Sequence, residues 1–121
     1  IENLCRTLPL IDQVMVYGDR RKYLVALVTL NGEELTGTAA REGLPSTDRK
    51  ELADHPRIRQ IVADHLATVN ARLAPYEQIK RFAVLPDSFS EETGELTPTL
   101  KIRRREISRR RRDILDSLYE T

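Results

Sequence analysis

Three stretches of the chain have the apolar patterns of β-strands. Residues 14–17 form a short β-prone run, and residues 23–30 are almost continuously apolar, which is typical of a strand covered on both faces. The polar link between them is short, so the two strands are expected to pair as an antiparallel hairpin. A third run covers residues 79–85 and stops before Pro86.

Helical spacing dominates the rest of the chain. Residues 1–7 have the pattern of a helix tail, and a short helix is expected from Asn31 or Gly32 to Ala40. Pro56 suits the first turn of a longer helix that reaches about Leu73. Its apolar positions recur with the helical period and predict one buried face: Ile58, Ile61, Val62, Leu66, Val69 and Leu73.

The last helix is expected from about Arg103 to Tyr119. It follows a polar, hairpin-like stretch over residues 88–96, with a turn at residues 91–94, and then a loop that ends at residue 101. The inner face of that helix would consist of Ile107, Ile114, Leu115 and Leu118. The element order predicts an α+β fold, in which a small three-stranded mixed sheet is flanked by helices.

Composition limits the class of protein. The chain has 121 residues, the size of one ordinary domain, and is 40% hydrophobic and 32% charged. It contains no apolar run as long as a membrane span. The single cysteine, Cys5, cannot form an internal disulfide, which suits a reducing cytosol. Its side chain is expected to be a small buried hydrophobe. Ile1 opens the sequence inside a helical pattern without a cap, so we expect a piece of a longer protein.

Charge is distributed unevenly along the chain. Between Lys101 and Arg112 there are eight basic residues and one acid, Glu106, so this segment carries +7 while the whole chain carries +1. Acid-paired or solvated arginines are the plain interpretation, with Asp113, Asp116 and Glu120 close by. The alternatives are contact with an anionic ligand or another domain, and a small basic module that binds nucleic acid.

One lysine stands directly before this basic helix, at the end of a loop that reads Gly94-Glu95-Leu96-Thr97-Pro98-Thr99-Leu100-Lys101. By itself the pattern indicates an exposed lysine beside a helix. A lysine is also a compact, mobile cation with three hydrogen-bond donors, which suits the alignment of two anionic groups. The two histidines and the cysteine are far apart and show no metal-ligand spacing, so no metal site is expected.

The string Thr97-Pro98-Thr99-Leu100-Lys101 resembles the last signature motif of the adenylate-forming superfamily, which includes acyl-CoA synthetases, luciferases and peptide-synthetase adenylation domains. There, a Thr-Pro-x-Gly-Lys loop carries the lysine used to make an acyl-adenylate. Leu100 departs from the glycine of many members, and residues 94–101 as a whole are similar to the long-chain fatty acyl-CoA synthetases. Residues 9–18, 70–82 and 114–119 are also similar to that branch, so the resemblance covers nearly the whole chain.

The resemblance implies that residues 1–121 are the mobile C-terminal lid domain of a long-chain-fatty-acid–CoA ligase. Lys101 would serve acyl-adenylate formation, and Thr97, Pro98 and Thr99 would shape its loop. The lid would then rotate for thioester formation with coenzyme A.

The same resemblance implies the ligands and partners. ATP and Mg²⁺ would be bound mainly by a large N-terminal domain, and the fatty acid and coenzyme A would be the other substrates. Arg20, Arg21, Arg103 and Arg104 are candidates for contact with coenzyme A or the large domain. The isolated chain is expected to be inactive and to bind no nucleic acid. The parent enzyme is expected in the cytoplasm, and peripheral association with a membrane stays open.

Overall fold

The computed structural model describes residues 1–18, 22–45 and 48–119. The helices are α1 (Glu2–Cys5), α2 (Gly32–Arg41), α3 (Arg49–Asp54), α4 (Pro56–Asn70), α5 (Arg104–Arg110) and α6 (Arg112–Ser117). The strands are β1 (Ile11–Tyr17), β2 (Leu24–Leu30) and β3 (Ile79–Val84), with a single 3-10 turn over Pro75–Glu77 before β3.

Within the described ranges the strands form one three-stranded sheet in the order β1-β2-β3. β1 pairs antiparallel with β2, where Val14 lies opposite Val28, and β2 pairs parallel with β3, where Val28 lies opposite Val84. The predicted α+β class, the mixed sheet and the antiparallel hairpin are confirmed.

The central strand explains how the two sides of the domain are built. Residues 25–30 of β2 are all buried, because side chains of alternating residues enter two separate cores. Ala26 and Val28 belong to the core under α1–α4, which we call the α4 face. Val25 and Leu27 belong to the core under the segment that follows β3, which we call the hairpin face.

The α4 face is the larger core. The predicted apolar face of the long helix packs here, with Ile58, Val62, Leu66 and Val69 buried against the sheet. Cys5 also lies in this core with no exposed surface, and burial raises the pKa of its thiol, as expected for a small buried hydrophobe.

The hairpin face is built by the C-terminal segment. Its core contains a methionine of β1, two residues of β2 and five residues that follow β3: Met15, Val25, Leu27, Leu85, Phe89, Leu96, Ile107 and Leu115. Ile114 and Leu118 pack against it, as their helical spacing predicted.

Two helix predictions need correction. Between β2 and β3 the described chain has three helices rather than the expected two, because Asp48 starts the additional helix α3 by accepting a hydrogen bond from the Lys50 amide. The final helix is interrupted at Arg111, whose φ and ψ are −107° and 22°. Ile107 before the break and Leu115 after it still enter the same core, as residues eight positions apart on one apolar helix face do.

Candidate functional site

The loop with the motif lysine is a short hairpin, which we call the lysine hairpin (residues 96–102). Leu96 and Ile102 form an antiparallel bridge at its base. Above the bridge, the Thr97 amide donates to the Lys101 carbonyl at 2.8 Å. A hairpin-like loop was predicted before the C-terminal helix, and one is present. Its paired ends are residues 96 and 102, however, and not the two pieces expected on either side of the turn at residues 91–94.

Thr97 organises the tip of the lysine hairpin. Its carbonyl accepts from the Leu100 amide at 2.8 Å, which closes a four-residue turn with Pro98 in the second position, where proline is favoured. Its hydroxyl accepts from the Lys101 amide at 3.1 Å and lies 3.1 Å from the Thr99 hydroxyl. Thr97 thus fixes the backbone of the residue that carries the ammonium group.

The Lys101 side chain is exposed beside this pinned backbone. No hydrogen bond or ion pair within the part of the chain that the structure describes engages its ammonium group. Lys101 lines a surface groove of about 360 Å³ between the lysine hairpin and the N-terminal segment. The groove also contains Glu2, Asn3, Arg6, Gln13, Val14, Leu100, Ile102 and Arg104. This arrangement leaves a cation available to an anionic group from outside the chain.

A buried carboxylate holds the base of the lysine hairpin. Glu95 has no exposed surface. Its carboxylate accepts from the Thr93 hydroxyl at 2.7 Å and from Nε of Arg111 at 3.1 Å, and Nε of Arg110 lies 3.8 Å away. Its carbonyl accepts from the Arg103 amide at 2.8 Å. Glu95 therefore joins the strand that enters the lysine hairpin to the break between α5 and α6.

The candidate contact residues Arg103 and Arg104 are used within the domain. One guanidinium nitrogen of Arg103 donates to the Gly94 carbonyl at 3.2 Å. Arg104 donates to the Val16 carbonyl at 3.2 Å and forms an ion pair with Glu2, whose carboxylate also accepts from the Val16 amide. Both arginines tie the lysine hairpin to neighbouring backbone. The other two candidates, Arg20 and Arg21, lie outside the described residues.

At least four of the eight basic residues in the run are paired with acids of the described chain. Besides the pairs of Glu95 and Glu2, Arg109 pairs with Glu106, and this hydrogen bond holds the pKa of the Glu106 carboxyl below its usual range. Glu2, Glu95 and Glu106 serve these pairs. The sequence had directed attention to the acids at 113, 116 and 120, of which Asp116 also has an interaction partner and Glu120 lies outside the described residues. The pairing favours the acid-paired interpretation over a nucleic-acid surface.

Sequence reasoning missed the role of Glu95. It lies inside the quoted motif, but a glutamate between Gly94 and Leu96 gives no sign of burial. A useful signal was the charge balance. Like charges four positions apart on a helix repel each other, so a +7 segment with one acid of its own favours carboxylate partners from elsewhere in the chain.

Within residues 1–18, 22–45 and 48–119, no group of three His, Cys, Asp or Glu side chains is arranged to hold a metal ion. In the same ranges, no helix has the length and apolar character needed to cross a bilayer.

Comparison with known families identifies the class of domain. The profile of the AMP-binding enzyme C-terminal domain matches residues 1–121. The chain belongs to this family. The match spans every feature described above, including the lysine hairpin and its buried Glu95.

Curated relatives of this C-terminal domain include fatty-acid–CoA ligases. The long-chain-fatty-acid–CoA ligase FadD15 of Mycobacterium tuberculosis is 30% identical over 98% of this chain and 20% of its own length. The long-chain-fatty-acid–CoA ligase 5 of Rattus norvegicus is 34% identical over 100% of this chain and 18% of its own length. The chain therefore spans about one fifth of these relatives.

Solved structures with the same fold are adenylation domains. The adenylation domain of a carboxylate reductase from Mycobacterium chelonae matches with a TM-score of 0.72 and 27% identity, over 98% of this chain and 17% of that chain. The didomain of a carboxylic acid reductase from Segniliparus rugosus, solved with AMP, matches with a TM-score of 0.70 and 28% identity, over 98% and 15%.

Proposed function

We propose that this chain is the C-terminal lid domain of a long-chain-fatty-acid–CoA ligase and that Lys101 serves acyl-adenylate formation. The observation that carries the proposal is the exposed Lys101 ammonium on a hairpin whose backbone is fixed by Thr97 and whose base is fixed by Glu95. Relatives that bear the name of long-chain-fatty-acid–CoA ligase support the choice of reaction.

The first half-reaction joins a fatty-acid carboxylate to ATP. A carboxylate oxygen attacks the α-phosphorus, a phosphorus–oxygen bond forms, and the bond to pyrophosphate breaks. The nucleophile needs no base, because a carboxylic acid with a pKa of about 4–5 is ionised at neutral pH. The barrier comes from bringing two anions together, so a fixed cation that contacts both lowers it by alignment and charge compensation.

The rest of the site would lie outside this chain. The described residues offer no cluster suited to Mg²⁺, so we assign the metal ion, ATP and the fatty acid mainly to a large N-terminal AMP-binding domain. After adenylation the lid would rotate to admit coenzyme A, with Arg20 and Arg21 as candidate contacts. Because Arg103 and Arg104 support the lysine hairpin, their effect on coenzyme A would be indirect. The proposal keeps the cytoplasm as the location and leaves peripheral membrane association open.

The test separates the two half-reactions in the complete ligase that carries this chain. Lys101→Ala is assayed for pyrophosphate release from fatty acid and ATP, and separately for acyl-CoA formation from a supplied acyl-adenylate. Adenylation is expected to fall by about 10²–10³-fold, the scale for removing one preorganised electrostatic contact, while transfer to coenzyme A is largely kept. Lys50→Ala, at an exposed lysine of α3, is the matched control.

Equal adenylation rates for Lys101→Ala and Lys50→Ala would contradict the assigned role of Lys101. Acyl-CoA formation by the 121-residue chain alone would contradict the lid assignment, since the proposal predicts that this chain is inactive without a large domain.

A further inference from the structure

Leu100 has an unusual backbone conformation. Among the described residues it is the one residue other than glycine with positive φ, at 64°. This left-handed region places the Cβ atom close to the following carbonyl, so a side chain there is disfavoured and glycine is the natural occupant. A leucine in this position is strained relative to glycine.

Leu100 is mostly outside the packed interior of the described residues. It is 61% exposed and belongs to neither hydrophobic core, so burial within this domain does little to offset the strain. It lies at the tip of the lysine hairpin next to Lys101 and lines the same groove. Residues with strained backbone cluster at active sites and ligand clamps, so an outlier beside the motif lysine points to a functional contact.

We propose that Leu100 is a docking residue, whose side chain packs into an apolar recess of the large AMP-binding domain when Lys101 is delivered for adenylation. This inference rests on the proposed function, which requires such a domain. The relatives are about five times longer than this chain, so they contain ample further protein to cover the hairpin tip. Because Leu100 adjoins Lys101, packing of the leucine into this recess would also fix the position of the lysine ammonium group.

The test uses four variants of the complete ligase, assayed for adenylation. Leu100→Gly removes both the side chain and the strain. Leu100→Asn keeps a side chain that tolerates the left-handed region but is polar. Leu100→Met restores an apolar side chain. Tyr76→Asn, at an exposed aromatic residue in the turn before β3, is the control for surface polarity.

We expect kcat/KM for adenylation to fall by about tenfold to hundredfold in both Leu100→Gly and Leu100→Asn, the loss that corresponds to one buried leucine. Leu100→Met should recover most of this loss, and Tyr76→Asn should match the wild type. In the 121-residue chain, Leu100→Gly should raise the melting temperature. A purely structural role of Leu100 would not produce a rise in melting temperature together with a fall in adenylation.

Four results would overturn the inference. A loss in Leu100→Gly but not in Leu100→Asn would mean that only the stiffness of the hairpin matters. A loss that varies with the length of the acyl chain would assign Leu100 to substrate contact. If instead the 121-residue chain associates in a concentration-dependent way and Leu100→Asn abolishes that association, Leu100 serves self-association. If Lys101→Ala abolishes adenylation while all Leu100 variants keep it, this inference fails and the proposed function stands.

Discussion

The two faces of the sheet are stabilised by different kinds of interaction. The α4 face is an apolar core in which α4 buries Ile58, Val62, Leu66 and Val69. The hairpin face has a smaller apolar core and adds a fully buried carboxylate, Glu95, with its arginine partners. Apolar packing is non-directional, whereas a hydrogen-bonded ion pair fixes the direction of each group.

This difference matches what the proposed function would require of each face. Packing on the α4 face would need only to keep the sheet covered. The hairpin face would have to present Lys101 on a fixed backbone, although the tip of the lysine hairpin belongs to neither core. We infer that both faces contribute to stability, whereas the geometry of the site resides in the polar contacts of the hairpin face.

The largest effect is expected from Glu95→Gln. Removing one partner of a buried ion pair costs about 3–5 kcal/mol, and the lower end applies because Arg111 and Arg110 keep 18% and 40% of their side-chain surface exposed. Urea unfolding of the 121-residue chain measures the change in free energy. Adenylation by the complete ligase should fall as well, because the base of the lysine hairpin loses its anchor.

Ile58→Ala is the matched variant on the other face. It opens a cavity under α4 and should cost a similar free energy, about 2–5 kcal/mol, since Ile58 has no exposed surface. Below its melting temperature, however, it should keep adenylation near the wild-type rate. If both variants reduce adenylation equally, the proposed division between the two faces is wrong.

A smaller effect is expected from Arg104→Met, which removes the ion pair with Glu2 and the hydrogen bond to the Val16 carbonyl. The side chain of Arg104 is 54% exposed, so the pair should contribute no more than about 1 kcal/mol, and less at high salt. Unfolding at low and high salt measures this contribution. A loss that is independent of salt would show that packing of the arginine stem matters more than its charge.

The smallest effect concerns Glu106 and pH. Because the hydrogen bond from Arg109 lowers the pKa of the folded carboxyl, this group contributes stability above its unfolded pKa and loses it as the pH falls through the folded pKa. The difference in melting temperature between the wild type and Glu106→Gln should therefore shrink from neutral pH towards about pH 3. A constant difference over that range would mean that the pair with Arg109 has no linkage to folding.

The sequence predicted most of the fold because the relevant signals are local. Hydrophobic periodicity located β2, β3 and α4, and the short link before β2 implied the antiparallel pairing. Hydrophobic periodicity failed where the decisive contact joins residues far apart in the sequence. The break at Arg111 accompanies an ion pair with Glu95, sixteen positions away, which no helical pattern reveals.

The candidate site was predicted in part. The motif identified Lys101 and the loop residues Thr97, Pro98 and Thr99, and the structure places them on one hairpin. The roles of Arg103 and Arg104 as internal ties depend on carbonyl groups of Gly94 and Val16. Residue types do not show which backbone carbonyl groups accept hydrogen bonds from a distant arginine. Sequence reasoning therefore left these arginines as candidates for outside contacts.

The most direct test of the central claim is the rate of pyrophosphate release in a single turnover of Lys101→Met. Methionine keeps a long, flexible side chain but carries no charge, and Lys101 is exposed, so the free energy of unfolding should not change. The account predicts a rate about 10²–10³-fold below that of the wild type. An unchanged rate would show that the ammonium group, on which the whole arrangement of the hairpin face is centred, takes no part in adenylation.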